Sequence, residues 1–311
     1  MRFLTISLIL YLSVNNVQGK IVFHSHRDGN TEIYLMRSDG KDETRLTHNG
    51  ASDYFPAWSP NGRQIVFSSE RDGYPEIYVM DADGGNQRNL TQHPAFDSSP
   101  HWSPDGSQIA FTSDRDSGDA HDLNIFVMDA DGSNVRQVTQ LEFAVAPKWS
   151  PDGEHIAFEG IIDQRRQIYV INADGTNRQL VSRPIPNAGI FLGGWSLDGT
   201  QILYKASIND SVKNSTVIIA TLKPKKYEMV PIPKMDSTSV DWGADGKSIL
   251  IALRRDGEDW DIYRFRLRNR QLIQLTDHPA KDISPHEWNP RLPVSPQELD
   301  PKHWGEIKSN P

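Results

Sequence analysis

The chain has 311 residues, no cysteine and a formal net charge of −8, with acidic and basic residues interspersed. The lack of thiols excludes disulfide staples, a lipid-modified cysteine and cysteine chemistry, so stability must come from a large core, which a chain of this length can bury. The acidic balance argues against a nucleic-acid partner, which demands a basic patch.

Residues 1–19 read as an export signal: Arg2 is the positive start, Phe3 to Val14 an apolar stretch, and Val17-Gln18-Gly19 carries small residues where a signal peptidase reads. The apolar stretch is shorter than the roughly 20 residues of a spanning helix. No later segment is apolar enough to span a bilayer, so a soluble periplasmic or secreted chain is expected from Lys20 onward.

From there the pattern is all-β. Ile21-Val22-Phe23, Ile33-Tyr34-Leu35-Met36 and Arg45-Leu46-Thr47 read as three short strands. A recurring word follows: Trp58-Ser59-Pro60-Asn61-Gly62, Trp102-Ser103-Pro104-Asp105-Gly106 and Trp149-Ser150-Pro151-Asp152-Gly153. It is worn at Trp195-Ser196-Leu197-Asp198-Gly199 and Trp242-Gly243-Ala244-Asp245-Gly246, and reduced to Trp288-Asn289-Pro290. Successive tryptophans lie 44, 47, 46, 47 and 46 residues apart, a period that identifies a repeat architecture.

Each period contains four strands. The first ends at the tryptophan. Ser-Pro-Asp-Gly then turns the chain, with proline presetting φ and glycine taking the positive φ. The second and third strands are apolar runs such as Ile65-Val66-Phe67 and Ile77-Tyr78-Val79-Met80. Asp81-Ala82-Asp83-Gly84 leads into a short fourth strand ending near Leu90-Thr91. Apolar residues on consecutive positions mark sheets buried on both faces, as in the blades of a propeller. Residues 21–47 lack a tryptophan strand and the Trp288 strand lacks the other three, so the two ends complement each other. The expected fold is a six-bladed β-propeller of four-stranded antiparallel blades over residues 20–291, closed by the N-terminal strands joining the Trp288 strand. Residues 292–311, with Pro293, Pro296 and Pro301, form a proline-rich tail.

These words resemble those of the TolB-like, WD-repeat-like propellers. The likeness rests on Trp102-Ser103-Pro104-Asp105-Gly106, Ser113-Asp114-Arg115, Ile77-Tyr78-Val79-Met80-Asp81-Ala82-Asp83-Gly84, Leu90-Thr91 and His93-Pro94-Ala95-Phe96-Asp97-Ser98-Ser99-Pro100. The family's namesake carries an α/β domain before its propeller. Here the repeat starts beside the predicted cleavage site, so a propeller alone is expected.

The blade-to-blade linkers and the hairpins between second and third strands share one face. The linkers contribute His48 and Asp53, His93 and Asp97, and His278 and Asp282. The hairpins contribute Glu70 and Arg71, Asp114 and Arg115, and Arg254. Loops converging at one end of a rigid scaffold are where binding residues tend to sit, and the resemblance implies a protein or peptide partner at this face and the channel mouth. A structural role is the competing reading for each residue, with aspartates bonding loop backbone and arginines bridging adjacent blades.

The Asp-Ala-Asp-Gly turns are not calcium loops, since glycine falls at the fourth position and Gln92 or Gln140 at the twelfth. Gly246-Lys247-Ser248, His286-Glu287 and Gly194-Trp195-Ser196 each lack the partners that a phosphate loop, a zinc helix or a nucleophile elbow requires. The sequence therefore predicts a monomeric, non-catalytic exported module with no cofactor and no assigned metal, which binds an envelope protein or peptide through one face and its channel. The alternative is a metal-assisted polysaccharide lyase or hydrolase using His48, His93 and His278 at the channel mouth.

Overall fold

In the computed structural model, residues 19–116, 122–208, 215–233, 236–254 and 259–288 are described. The segment expected to be an export signal, apart from Gly19, and the proline-rich tail lie outside them. The described residues form 24 strands, numbered β1 to β24 in chain order, arranged in six four-stranded antiparallel sheets. No helix among them is long and apolar enough to cross a membrane.

One blade combines both ends of the chain in the order β24 (Asp282–Trp288), β1 (Lys20–Ser25), β2 (Glu32–Arg37) and β3 (Thr44–Arg45). The next is β4 (Asp53–Trp58), β5 (Gln64–Ser69), β6 (Glu76–Asp81) and β7 (Arg88–Asn89), and the other four repeat this plan. Their innermost strands are β8 (Asp97–Trp102), β12 (Phe143–Trp149), β16 (Ala188–Trp195) and β20 (Asp236–Trp242). Each inner strand lies against the inner strands of both neighbouring blades, around a central channel.

Second and third strands are buried along their length: Ile65, Val66, Phe67, Ile77 and Met80 are fully enclosed. The core is a series of clusters spanning adjacent blades. Trp102, for example, packs with Val66, Val79 and Leu90 of the preceding blade as well as Phe111 of its own. Burying such aromatic area at every blade interface is the main stabilising term.

The turns follow from their sequences. Gly62 has φ 67° and its N–H donates to the Ser59 carbonyl, closing the Ser-Pro-Asn-Gly turn. In the Asp-Ala-Asp-Gly turn, Asp83 accepts from the Gly85 N–H and Asp81 from the Asn86 amide, so both carboxylates serve the turn itself.

The inner strands carry a feature that positions the channel. Each is bulged: the register with its partner slips between Tyr54 and Ala57, Ser98 and His101, Val145 and Lys148, Leu192 and Gly194, Ser237 and Val240, and Ile283 and His286. Phe55, Ser99, Ala146 and Ser284 adopt φ of 52–55° there, the left-handed signature of a bulge that re-aims a strand. Pro56, Pro100, Pro147 and Pro285 follow directly. Proline is tolerated because the inner strand is a sheet edge facing the channel and its missing N–H breaks no ladder.

Candidate functional site

Alternation of strand direction puts the blade linkers and the hairpins between second and third strands on one face, called here the loop face. The tryptophan-proline turns lie on the other. The predicted polar set does gather on the loop face, but much of it is turned inward. Asp53, Asp97 and Asp282 open their strands with no solvent exposure. They pair with Arg71 at 3.1 Å, Arg115 at 2.7 Å and Arg27 at 2.7 Å.

The arginines are fixed on several sides. Arg71 donates to Ser69 and Gln87 and lies 4.5 Å from the Tyr78 ring centroid. Arg115 donates to Ser113 and lies over Phe111 and Phe126. Arg254 pairs with Asp236 at 2.7 Å and covers the half-buried Trp260. These pairs tie the first strand of a blade to a hairpin of the same blade. The bridging between blades that the competing structural reading supposed does not occur at them, because each hairpin folds back over its own sheet. Burial holds the Asp97 carboxyl above its usual range, against the opposing pull of Arg115.

The remaining predicted residues differ in exposure. Asp114 accepts from the Phe96 N–H and is buried. The His93 N–H donates to the Glu76 carboxylate, and the Nδ1 atoms of His93 and His278 are buried without a hydrogen-bond partner. His48 and Glu70 are exposed, and Glu70 accepts from the Tyr54 hydroxyl. Among the described residues, one acidic and histidine group has the spacing of metal ligands: Asp152, Glu154 and His155, on the tryptophan side. His48, His93 and His278 form no such group.

The channel is the larger opportunity. A cavity of about 430 Å³ is lined by the inner strands of all six blades, from Phe55 and Ser99 round to Asp241 and Pro285. A second, of about 450 Å³, lies on the tryptophan side, walled by all six repeat tryptophans. Lys148, Asp241 and His286 border both. In the first cavity, Glu159 of β13 (His155–Ile162) pairs at 2.5 Å with Arg166 of β14 (Arg165–Asn172) and accepts from the Leu192 N–H. Lys205 of β17 (Gln201–Ile208) donates to the Ser237 carbonyl and sits 4.5 Å from the Phe191 ring centroid. Burial pulls its ammonium down to about 8, against the Glu159 carboxylate.

A family described as the TolB beta propeller domain matches residues 17–88 and 54–158. The fold agrees with solved TolB: the Acinetobacter baumannii protein superposes with a TM-score of 0.75 at 19% identity, over 86% of this chain and 66% of that one. The chain is a TolB-like β-propeller. A 46-residue stretch is 52% identical to the Tol-Pal system protein TolB of Geobacter sulfurreducens, covering 15% of this chain and 11% of that protein. An oligogalacturonate lyase in complex with manganese shares the architecture at a TM-score of 0.59 and 18% identity, covering 83% of this chain and 74% of that one. One fold therefore serves unrelated activities.

In this TolB-like propeller the sequence reading missed two groups. Arg27 does for the closing blade what Arg71 and Arg115 do for theirs, and Ser25-His26-Arg27-Asp28 aligns with Ser69-Glu70-Arg71-Asp72. That signal was present in the repeat. The channel residues His101, Lys148, Asp241 and His286 were the second. Aligning the residue after the inner-strand proline would have collected His101, Lys148 and His286.

Proposed function

We propose that this TolB-like propeller is a non-catalytic exported module that binds a protein or peptide of the cell envelope, as a monomer, through its loop face and central channel. The observation that carries the reading is the channel cavity with Phe55 at its wall, 40% exposed despite its size. Tyr74, 61% exposed, stands on the β5–β6 hairpin of the same blade. Accessible aromatics beside a concave site are the side chains that dominate partner binding. The likeness to a Tol-Pal system protein supports an envelope partner. The loop-face histidines give the metal-assisted alternative no ligand group.

The test is affinity capture from envelope extract followed by titration of the retained partner. Phe55→Asn, which keeps a residue suited to the left-handed backbone, combined with Tyr74→Ala, should weaken that partner by about tenfold or more. Equal affinity for the variant would remove the loop face and channel from the reading.

A further inference from the structure

Five inner strands bring one residue each to the waist of the channel: in ring order His101, Lys148, Gly194, Asp241 and His286, while Ala57 at the equivalent position of the remaining blade is buried in the core. Most stand just before the tryptophan. His286 stands two before Trp288, because Ser284-Pro285-His286 matches Ser99-Pro100-His101 with one residue added afterwards. Gly194 leaves room beside Asp241. At Gly194 a Cβ would lie 2.9 Å from an Asp241 carboxylate oxygen.

The histidines are oriented by backbone. The Trp149 N–H donates to His101 Nδ1 at 3.3 Å and the Trp58 N–H to His286 Nδ1 at 3.1 Å. An Nδ1 that accepts carries no proton, so each neutral ring holds its proton on Nε2. The Trp102 backbone also interacts with the His101 ring, and both rings border the tryptophan-side cavity. The rings lie 5.7 Å apart, edge to face. Lys148 stands beside them, acting electrostatically on His101, His286 and Asp241, and its ammonium has no ion pair or hydrogen bond with a described residue. On the loop side Lys148, Arg166 and Lys205 stand with Glu159 and Asp241, Arg166 being paired with Glu159, and the tryptophan side adds Asp198 and Glu287. The waist groups do not meet the spacing of a metal site.

We infer that the channel waist is a carboxylate site, in which the Lys148 ammonium and the Nε2–H groups of His101 and His286 receive an acidic side chain or chain end of a peptide entering from the loop face. Three donors from three blades, one of them charged, form the arrangement that holds a carboxylate most strongly. Asp241 accepts from the Trp242 N–H through Oδ1 and turns away a second carboxylate while accepting a peptide N–H through its other oxygen.

This inference rests on the peptide-binding reading, and its test separates the two. The full chain is titrated with an acetylated oligoglutamate amide, an acetylated oligoglutamine with a free terminal carboxylate, and the same oligoglutamine as its amide. At least one carboxylate peptide should bind about tenfold more tightly than the all-amide peptide, and which one does so distinguishes side chain from chain end. Lys148→Met should abolish the difference while the protein remains folded, and Lys148→Arg should keep it. Glutarate should shift the ring-nitrogen NMR signals of His101 and His286 and leave those of the exposed His48 in place. If the all-amide peptide binds equally well, or Lys148→Met keeps the preference, the carboxylate site falls while channel binding stands. If no peptide binds and no ring signal moves, the site falls too, and the capture experiment alone decides the binding reading.

Discussion

Buried titratable side chains around the channel pull in opposite directions as pH changes. His24 is held down to about 3, by burial first and then by His26 and Lys281; the Phe55 N–H donates to its Nδ1. Its folded pKa lies below the unfolded value near 6.5. The unfolded chain therefore binds the proton more readily, and stability falls as pH drops from about 6.5 toward 3, by up to about 1.4 kcal/mol per pH unit. Asp241 is the reverse: burial pushes its carboxyl up to about 6 despite Lys148. Its neutral form is favoured on folding, so its contribution is fully present below the unfolded value and is lost as pH rises through 6. Because the two offset each other, single variants are the readout. His24→Gln should gain stability relative to the parent as pH falls from 7 to 4. Asp241→Asn should gain about 1–3 kcal/mol relative to the parent as pH rises from 4 to 8. Urea midpoints at several pH values check both, and parallel curves would show that neither side chain is held in its neutral form.

At the scale of the element, the repeated turns look alike but stand in different surroundings. Gly132, in an Asp-Ala-Asp-Gly turn, has φ 97°, and a Cβ there would lie 2.4 Å from the Leu90 carbonyl oxygen of the neighbouring blade. Gly29, in a hairpin on the loop face, has φ 94° with nothing within 4 Å of its Cβ position. Gly29→Ala meets only the left-handed backbone penalty of about 1–2 kcal/mol. Gly132→Ala meets that penalty and a backbone clash between blades, and should cost at least about 2 kcal/mol more. Denaturant unfolding of the two variants compares them, and equal losses would mean that the blade contact yields freely. The bulged inner strands show the same dependence on context: a left-handed Phe55 or Ser99 is tolerated where the strand edge faces a channel.

At the scale of the whole molecule, stability depends on closing the ring. β24 pairs with β1 through Lys20–Trp288, Ile21–Glu287 and Val22–His286, and Arg27 reaches back to Asp282. Trp288 donates its indole N–H to the Pro60 carbonyl and packs against Trp58, joining the last strand to the second blade. A chain ending at Lys281 loses these contacts together and leaves β1 as an open edge. It should lose more than about 5 kcal/mol, an amount comparable to the stability of many domains, and so unfold at low denaturant without a sharp transition. A cooperative transition at the parent midpoint would show that closure adds little.

How much of this was legible in the sequence differs with distance along the chain. The tryptophan spacing, the Ser-Pro-Asp-Gly turns and the complementary ends determined blade number and strand order, because those signals are local and recur. The pairing of Asp97 with Arg115 was hidden in them: both residues were visible, but only the backfolded hairpin decided that they meet inside one blade with little left for a ligand. The waist was hidden more deeply. His101, Lys148, Asp241 and His286 lie tens of residues apart, and they face one another because ring closure and a bulge in each inner strand turn them toward a common axis. A linear pattern specifies which face of a strand a side chain occupies; only the closed ring decides what stands opposite it.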